Sequence, residues 1–479
     1  MSQRVALVWF RTDLRLEDNP ALYHALDQGY SVLPIYIDSE EEELTWKMGK
    51  ASRWWLHHSL SSLQASLESC GSKLFLFRGR SLTTLLTLIQ QTKASAVFWN
   101  RRYEPEIIVR DKNIKEAIKS LGLEVESFNG TLLHEPWTIR NLSNLPFQVF
   151  TPFWKKALSV THPSPCFQAP VKVPLPRSLP KGLSLNELKL LPSIPWDQQF
   201  YTSWKPGEVG AHKNLKEFIE RAFIQYKEGR NIPSEKGTSR LSPHLHFGEI
   251  SPRQIWHLFE KNFPPTAAWK NSQYIAEIGW REFAHHLLYH FPQTPLHPLR
   301  PAFEKFQWNA IQQERLIAWK KGMTGIPIVD AGMRELWATG WMHNRVRMIS
   351  ASFLVKNLRY PWIEGARWFW DTLVDADLAA NTLGWQWSAG CGADAAPYFR
   401  IFNPVTQGEK FDPEGAYVRR WIPELSDLPA NWIHHPWEAP SEVLKKVNLT
   451  LGVDYPHPIL SLSETRTSAL EAFQNLKKN

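Results

Sequence analysis

The sequence predicts an α/β protein in two parts: a doubly wound parallel sheet of Rossmann-like type over residues 1–131, and an all-α unit over residues 201–479, joined by a long connector at 132–200. Three observations carry this prediction. Short β-branched and aromatic runs alternate with longer amphipathic stretches through the first 130 residues, the pattern of strands covered by helices on both faces. Residues 131–200 then hold 11 of the 35 prolines and little periodicity. Beyond residue 200 apolar side chains recur with helical spacing almost throughout. A chain of 479 residues also exceeds what one core usually serves.

Strands are expected at Val5–Phe10, Val32–Ile37, Lys73–Phe77, Ala96–Trp99 and Glu124–Phe128. The stretches between them, Asn19–Gln28, Ala51–Cys70, Ser81–Lys93 and Glu106–Leu121, carry helical spacing. Asp18-Asn19-Pro20 is a helix start, because a capping side chain precedes a proline whose missing N–H is not needed in the first turn. No GxGxxG follows the first strand and no GxxxxGKS or GxxxxGKT occurs, so the sheet lacks the glycine loops that cradle phosphates. The connector is expected to drape over the surface, since its prolines deny it regular pairing. Helices of the second unit are expected at Lys213–Glu228, Pro252–Phe263, Ser272–Phe291, Gln312–Lys321, Val329–Ala338, Asn344–Lys356 and Glu364–Leu373.

With 43% hydrophobic and 21% charged residues, the composition is that of a soluble globular chain. No apolar run approaches the ~18 residues of a membrane span, and Met1 onward shows no signal-peptide core. The three cysteines, Cys70, Cys166 and Cys391, form no CxxC pair and are too few for a four-cysteine zinc or iron–sulfur site. A reduced, cytoplasmic protein is expected. The net charge is +8, and residues 1–130 balance 16 basic against 16 acidic side chains, so the whole surplus lies beyond them. Such a basic region favours polyanions such as nucleic acid. Of 24 tryptophans, 16 also lie beyond residue 200.

Four clusters offer chemistry, each with a plain structural alternative. In Asp375-Ala-Asp-Leu-Ala-Ala-Asn-Thr-Leu-Gly-Trp-Gln-Trp387, two acids, Asn381 and two indoles flank Gly384; this is poor material for a core helix and good material for a pocket wall or a tryptophan-anchored corner. The segment Asp394–Asn403 follows it. Glu277 and Trp280 are three apart and share a helix face. A carboxyl group and an indole at one spot suit an extruded base, which needs a π-face and an edge partner; a core tryptophan beside a surface acid is the alternative. Residues 341–360 carry Arg345, Arg347, Lys356 and Arg359 and no acid, a phosphate-contacting stripe or a solvated basic face. The hydroxyls and amides of Gly237-Thr-Ser-Arg-Leu-Ser242 suit a diphosphate or a helix cap.

Taken in order, Val8-Trp-Phe-Arg-Thr-Asp-Leu-Arg-Leu-Glu-Asp-Asn19, the 237–242 turn with His246-Phe-Gly-Glu-Ile-Ser251, Trp280-Arg-Glu-Phe283, Trp341-Met-His-Asn-Arg345 and Asp375-Ala-Asp-Leu-Ala-Ala-Asn381 resemble the photolyase/cryptochrome family from residue 5 to about 440. Within it the chain most resembles class I cyclobutane pyrimidine dimer photolyases. The resemblance implies light-driven DNA repair with FAD, folded within the helical unit and anionic and reduced in its working form. It implies that Tyr226, Thr238, Ser239, Arg240, Leu241 and Ser242 hold the diphosphate and ribityl chain. Tyr274, Arg281, Arg347, Asp375, Ala376 and Asp377 are implied as further cofactor contacts, with Asn381 at flavin N5, where an amide supplies no carboxylic proton. Asn344 would lie between flavin and substrate.

By the same resemblance, Trp280 and Trp387 wall the cavity for a flipped dimer, and Met348 packs against it. Glu277, on a desolvated wall, donates a hydrogen bond to a pyrimidine carbonyl. Arg230, Arg345 and Arg400 contact the surrounding phosphates. Trp385, Trp362 and Trp308 match the family's electron-transfer chain, with Trp319 as substitute for Trp308, which stands one residue off the usual spacing.

A second, light-harvesting chromophore is implied in the domain interface. Its identity, methenyltetrahydrofolate or deazaflavin, stays open: Glu104-Pro-Glu-Ile-Ile-Val-Arg110 lacks the Asn-Glu pair of folate-binding members, and Pro295-Leu296 lacks their basic neighbour. UV-damaged DNA is the expected partner, of a monomer with no metal, membrane or obligate protein partner. A (6-4) photolyase is expected to show a histidine pair where this chain has His343-Asn344, and the iron–sulfur branch needs a fourth cysteine. A signalling cryptochrome is expected to run far past the Trp432-His-His-Pro-Trp437 segment, which here is followed by about forty residues. The remaining alternative is a flavin-based blue-light sensor, to be signalled by changes at Glu277, Trp280, Asn344, Met348 or Trp387; all five keep the repair-type residue.

Overall fold

A computed structural model describes residues 3–264, 268–395 and 400–478. Residues 396–399 of the Asp394–Asn403 segment therefore lie outside the described residues. Five strands, Val5–Phe10 (β1), Ser31–Asp38 (β2), Phe75–Arg78 (β3), Ala96–Asn100 (β4) and Glu124–Phe128 (β5), form one parallel sheet in the order β3-β2-β1-β4-β5. β1 and β5 have the predicted bounds, and β3 begins two residues later than predicted. Every residue of β1 is buried, which is why its sequence is a continuous apolar run and does not alternate. Helices Pro20–Asp27 (α1), Lys50–Ser69 (α2), Ser81–Thr92 (α3) and Pro105–Ser120 (α4) connect the strands. Asn19 caps α1, its Oδ1 accepting from Leu22 N at 3.1 Å.

Strand order reverses between β1 and β4, where open α/β sheets usually bind ligands. Here the protein's own side chains occupy the crevice. Asn100 Nδ2 donates to Asp13 Oδ2 at 2.6 Å and to Asn19 Oδ1 at 2.9 Å, and all three residues are buried. The β1–α1 loop instead docks on the helical unit, with Leu14 N donating to Phe247 O at 3.0 Å. Gly248 has φ +64°, and a Cβ there would strike Thr12 O and Asp13 Cα, so only glycine permits this approach. Arg15, fully buried, donates to Gly248 O at 2.8 Å and Gly130 O at 2.6 Å, while Asp18 pairs with Arg253 at 2.7 Å. Charges enclosed this way are tolerated because each is bonded.

The connector departs from the expected surface drape. Phe150–Val160 (α5) is a helix that buries Phe150, Phe153, Trp154 and Ala157 in a core of the helical unit. Their i, i+3, i+4, i+7 spacing is a helical stripe that the surrounding prolines obscured. Further on, Leu183 bridges to Leu76, and Val173, Leu188 and Leu190 are buried.

The helical unit contains Glu208–Arg221 (α6), Pro252–Asn262 (α7), Gln273–His290 (α8), Gln313–Lys321 (α9), Pro327–Thr339 (α10), Asn344–Ser352 (α11), Trp362–Thr372 (α12) and Leu378–Ala389 (α13). Three expectations need correction. The predicted Lys213–Glu228 helix ends at Arg221 and is followed by a separate turn at Tyr226–Gly229. α11 passes into a π-helical segment, Phe353–Asn357, so Asn344–Lys356 is not one regular helix. The segment expected to be a pocket wall and a poor core helix forms α13, with Leu378, Thr382, Trp385 and Gln386 buried, so it shows no amphipathic stripe. The basic stripe also dissolves. Lys356 is buried with Nζ donating to Ala389 O at 3.2 Å, and Arg359 bonds Asn309 and Ser468. Among the described residues no helix is long and apolar enough to cross a membrane.

Candidate functional site

The helical unit encloses a cavity of about 580 Å³, within the range of cofactor sites. Tyr226 and the 238–242 turn line one side, Tyr274 and Arg281 enter from α8, and Asn344 and Arg347 from α11. Asp375, Ala376, Asp377 and Asn381 enter from the start of α13. Glu277, Trp280, Met348, Trp385, Trp387 and Arg230 line the same cavity. The four loop and helix segments that carried separate motifs thus meet around one space.

On the buried wall, single polar atoms of Asp375 and Arg240 lack a partner among the described residues. Asp375 Oδ2 accepts from Arg347 Nη2 at 2.8 Å and Ser242 Oγ at 2.5 Å, whereas its buried Oδ1 has no partner among the described residues. Arg240, at φ +51°, lies 4.1 Å from the Trp204 ring and 4.8 Å from Trp341, with Nε unpartnered. Burial pushes this guanidinium below its usual pKa. Unpaired buried atoms on a cavity wall call for a polar ligand. An acceptor for a ring N–H, a cation and a hydroxyl-rich turn together fit FAD. Asp377 adds a carboxylate whose ionisation burial opposes, but the His285 and His246 imidazoles together outweigh burial and hold it well below the usual range.

The outer part of the cavity is aromatic and charged. Trp280, half-buried, stacks on Phe150 with centroids 3.8 Å apart, and half-buried Trp387 lies 6.4 Å from Phe402. Glu277 was expected to stand desolvated on the wall. It is instead ion-paired with Arg230 at 2.5 Å, and Gln273 Nε2 donates to it at 2.7 Å. Arg345 does not line the cavity: its Nη2 donates to Asn231 Oδ1 at 2.5 Å and its guanidinium covers Phe411. Arg400 is exposed and borders a small hollow beside Trp387.

Trp385 and Trp362 are buried, and Trp308 is half-buried against Phe306 at 4.6 Å. Trp319, the considered substitute, is fully buried and packs edge-on against Trp385 at 6.2 Å, so it cannot be a surface terminus. The sequence reading missed Phe150, Trp204, His246 and His285. His246 lay within a quoted motif and His285 one turn after Arg281, but nothing local marks Phe150 or Trp204 as neighbours of the cavity. In the sheet unit a hollow of only about 30 Å³ lies near the ends of β1 and β2, lined by residues including Trp9, Tyr36, and Arg102 and Glu43, which pair at 2.9 Å.

Comparison with known proteins agrees with this architecture. Residues 6–174 match the family model described as DNA photolyase, and residues 274–475 match that described as FAD binding domain of DNA photolyase. The chain is 47% identical to a deoxyribodipyrimidine photo-lyase of Agrobacterium fabrum over 98% of both chains. It is 41% identical to cryptochrome-2 of Arabidopsis thaliana, covering 98% of this chain and 79% of the relative. A crystal structure described as a bacterial class III photolyase from Agrobacterium tumefaciens superposes with TM-score 0.95 at 46% identity, covering 100% of this chain and 99% of the other.

Proposed function

The chain belongs to the photolyase/cryptochrome family and carries its FAD-binding domain, and from that premise we propose that it repairs cyclobutane pyrimidine dimers in DNA under blue light. In this reading residues 1–131 are the antenna unit, 132–200 the connector and 201–479 the flavin unit. One observation carries it. A single cavity has unpartnered Asp375 and Arg240 atoms on its buried wall, suited to FAD, and the indoles of Trp280 and Trp387 with Glu277, Asn344 and Met348 on the same lining.

When bound and reduced, FAD would supply the light-driven, reversible one-electron chemistry that opens the cyclobutane ring. The residues of the chain bind, orient and exclude water. Tyr226, Thr238, Ser239, Leu241 and Ser242 hold the diphosphate and ribityl chain, with Arg240 as the cation. Asp375, fixed by Arg347 and Ser242, offers its free oxygen to the flavin, and Tyr274, Arg281, Ala376 and Asp377 complete the contacts. Asn381 Nδ2 donates to Ala366 O at 3.0 Å, so its Oδ1 would be the atom left to accept from the flavin. Trp280 and Trp387 would offer π-faces to the flipped dimer, Met348 would pack against it, and Asn344, on the same lining, would lie between dimer and cofactor. The Glu277–Arg230 pair provides the donor to a pyrimidine carbonyl. Arg230, Arg345 and Arg400 take the phosphates, and Trp385, Trp362 and Trp308 pass an electron inward from the surface.

The resemblance to a class I enzyme gains no support of its own, whereas the likeness to a protein described as a class III photolyase supports that class. A second chromophore, methenyltetrahydrofolate or deazaflavin, belongs to this reading as the antenna; the 30 Å³ hollow would have to open to admit it at the ends of β1 and β2. The identity to a plant cryptochrome favours one second reading, a blue-light sensor without repair. The deciding experiment mixes purified, reduced protein with an oligonucleotide holding one thymine dimer and follows the absorbance of the restored bases. Recovery in blue light and none in darkness supports repair. No recovery with FAD bound and reduced turns the reading to a sensor or to (6-4) lesions.

A further inference from the structure

On the cavity wall, Asp377 meets two imidazoles that the repair reading leaves without a role: His246, which also lines the cavity, and His285, which lies behind it. Its Oδ1 caps α13, accepting from Ala380 N at 2.8 Å. Its Oδ2 faces His285 Nε2 at 3.4 Å and His246 Nδ1 at 3.7 Å. His285 is 7% exposed, and its other ring nitrogen, Nδ1, lies 3.0 Å from Arg281 O. A carbonyl oxygen only accepts, so Nδ1 carries a proton. The ionised Asp377 also only accepts, so Nε2 carries one as well; otherwise its lone pair would face an anion in a buried site. Both conditions hold together only in the imidazolium. Burial disfavours that charge, but Asp377 outweighs it and lifts His285 above the ordinary histidine value of 6.5.

The groups around this ring come from four places. Arg281 and Glu282 precede it on α8, Asp377 faces it from the start of α13, and His246 meets the same carboxylate from the turn after Ser242. Glu104 acts on Asp377 from the sheet unit. Tyr103 of the sheet unit closes the site, its ring perpendicular to His285 at 6.2 Å and its hydroxyl donated to Glu135. The sheet unit thus covers His285 on one side, while Asp377 stays open to the cavity on the other, and low local polarity around the ring strengthens the pair.

We propose that His285 is a positioning residue for the cofactor's electrochemistry: its charge, acting through Asp377, favours the anionic reduced flavin, and that preference fades as pH rises. Protonated, His285 neutralises Asp377. Deprotonated, it leaves the Asp377 carboxylate without that counter-charge, His246 at 3.7 Å being its remaining imidazole neighbour, on the wall that the reduced anion must meet. Reduction adds two electrons and one proton to the ring and, by linkage, draws part of a further proton onto His285 in the pH range where the imidazole titrates. The proposal rests on the reading of this cavity as the FAD site.

The test is a spectroelectrochemical titration of the FAD-loaded full chain, with mediators supplying electrons, for the unaltered protein, His285→Gln and His285→Arg across neutral pH. Flavin absorbance beforehand reports loading: an unaltered chain that takes up no FAD at this cavity overturns the site reading and the proposal with it. With FAD loaded, the potential of the unaltered protein should fall more steeply with pH than that of His285→Gln. At the acid end the Gln variant should hold roughly tenfold less reduced flavin at the same applied potential, the size of one screened unit charge. His285→Arg cannot lose its charge, so it should keep the unaltered ratio at the acid end and lack the steeper slope. Loaded proteins with the same potential and slope overturn the proposal. If the Gln variant does not fold, His285→Arg decides alone, and a slope equal to that of the unaltered protein overturns it.

Discussion

Phe150 and Trp280 stack with ring centroids 3.8 Å apart and planes 9° apart, so a connector residue fixes the indole on the cavity wall. One face of Trp280 is thereby committed to the protein. Phe150→Ala should remove about 0.5–1.5 kcal/mol of aromatic pairing beyond the lost contact area and weaken binding of dimer-containing DNA several-fold with FAD content unchanged. Phe150→Leu should lie between the two. Equal affinities for damaged oligonucleotide across the series would show that the stack does not order the substrate wall.

Glu277 shares Arg230 with the cavity rim at 2.5 Å. Glu277→Gln keeps shape and removes the charge that restrains the guanidinium, so repair yield should drop several-fold while flavin absorbance stays the same. Glu277→Ala should lower it further. An unchanged yield in both variants removes Glu277 from the mechanism.

Trp362 is buried and Trp308 half-buried, an arrangement suited to relay and surface terminus. Trp362→Phe should abolish most photoreduction of oxidised flavin yet leave repair by chemically reduced protein within about twofold of the unaltered rate, an estimate that follows from separating electron supply from substrate positioning. Photoreduction at the unaltered rate would reassign the route, with Trp319, which touches Trp385, as the next variant.

Arg400 is exposed beside Trp387, whereas Arg345 is already bonded to Asn231. Arg400→Ala should weaken binding to damaged and undamaged DNA alike and reduce the slope of log affinity against log salt by about one. Titrations at several salt concentrations check this, and an unchanged slope excludes a phosphate contact at Arg400.

Burial pushes the imidazoles of His134 and His286 down to about 4 and that of His343 down to about 3. In the unfolded chain these groups take up protons below about 6.5, whereas in the folded chain they stay neutral until the pH is lower still. The unfolded state therefore binds more protons in that window, and stability falls as pH drops from about 6.5 toward 4, by several kcal/mol in sum as an order of magnitude. His285 has the opposite sign: its raised pKa contributes stability below 6.5 that is lost as pH rises through the folded value. Denaturant melts across this range test both. A flat profile on the acid side would mean the buried histidines find proton acceptors on titration.

Much of this molecule was legible in local sequence. Val5–Phe10 and Glu124–Phe128 were bounded correctly, because buried parallel strands are short apolar or β-branched runs cut by turn residues, and Asn19-Pro20 marks the helix start through capping chemistry that acts within three residues. The expected cofactor-binding side chains also converge on one cavity, since each short motif carries its chemistry with it. The residues of α13 are legible as a pocket wall, but its helix is not, for a physical reason: with Leu378, Thr382, Trp385 and Gln386 buried it has no clean polar face for periodicity to reveal.

Tertiary structure alone decided the rest. The charges of Lys356 and Arg359 read as a phosphate stripe, yet the fold directs them to Ala389 O and Asn309. Phe150 reaches Trp280 across 130 residues, and His285 is drawn toward its charged form because Asp377, 92 residues later, and Arg281 O face its two nitrogens at once. Residue type sets what a side chain can bond, but burial and the partner that arrives from elsewhere in the chain set its charge, its orientation and which of its bonds remain for a ligand.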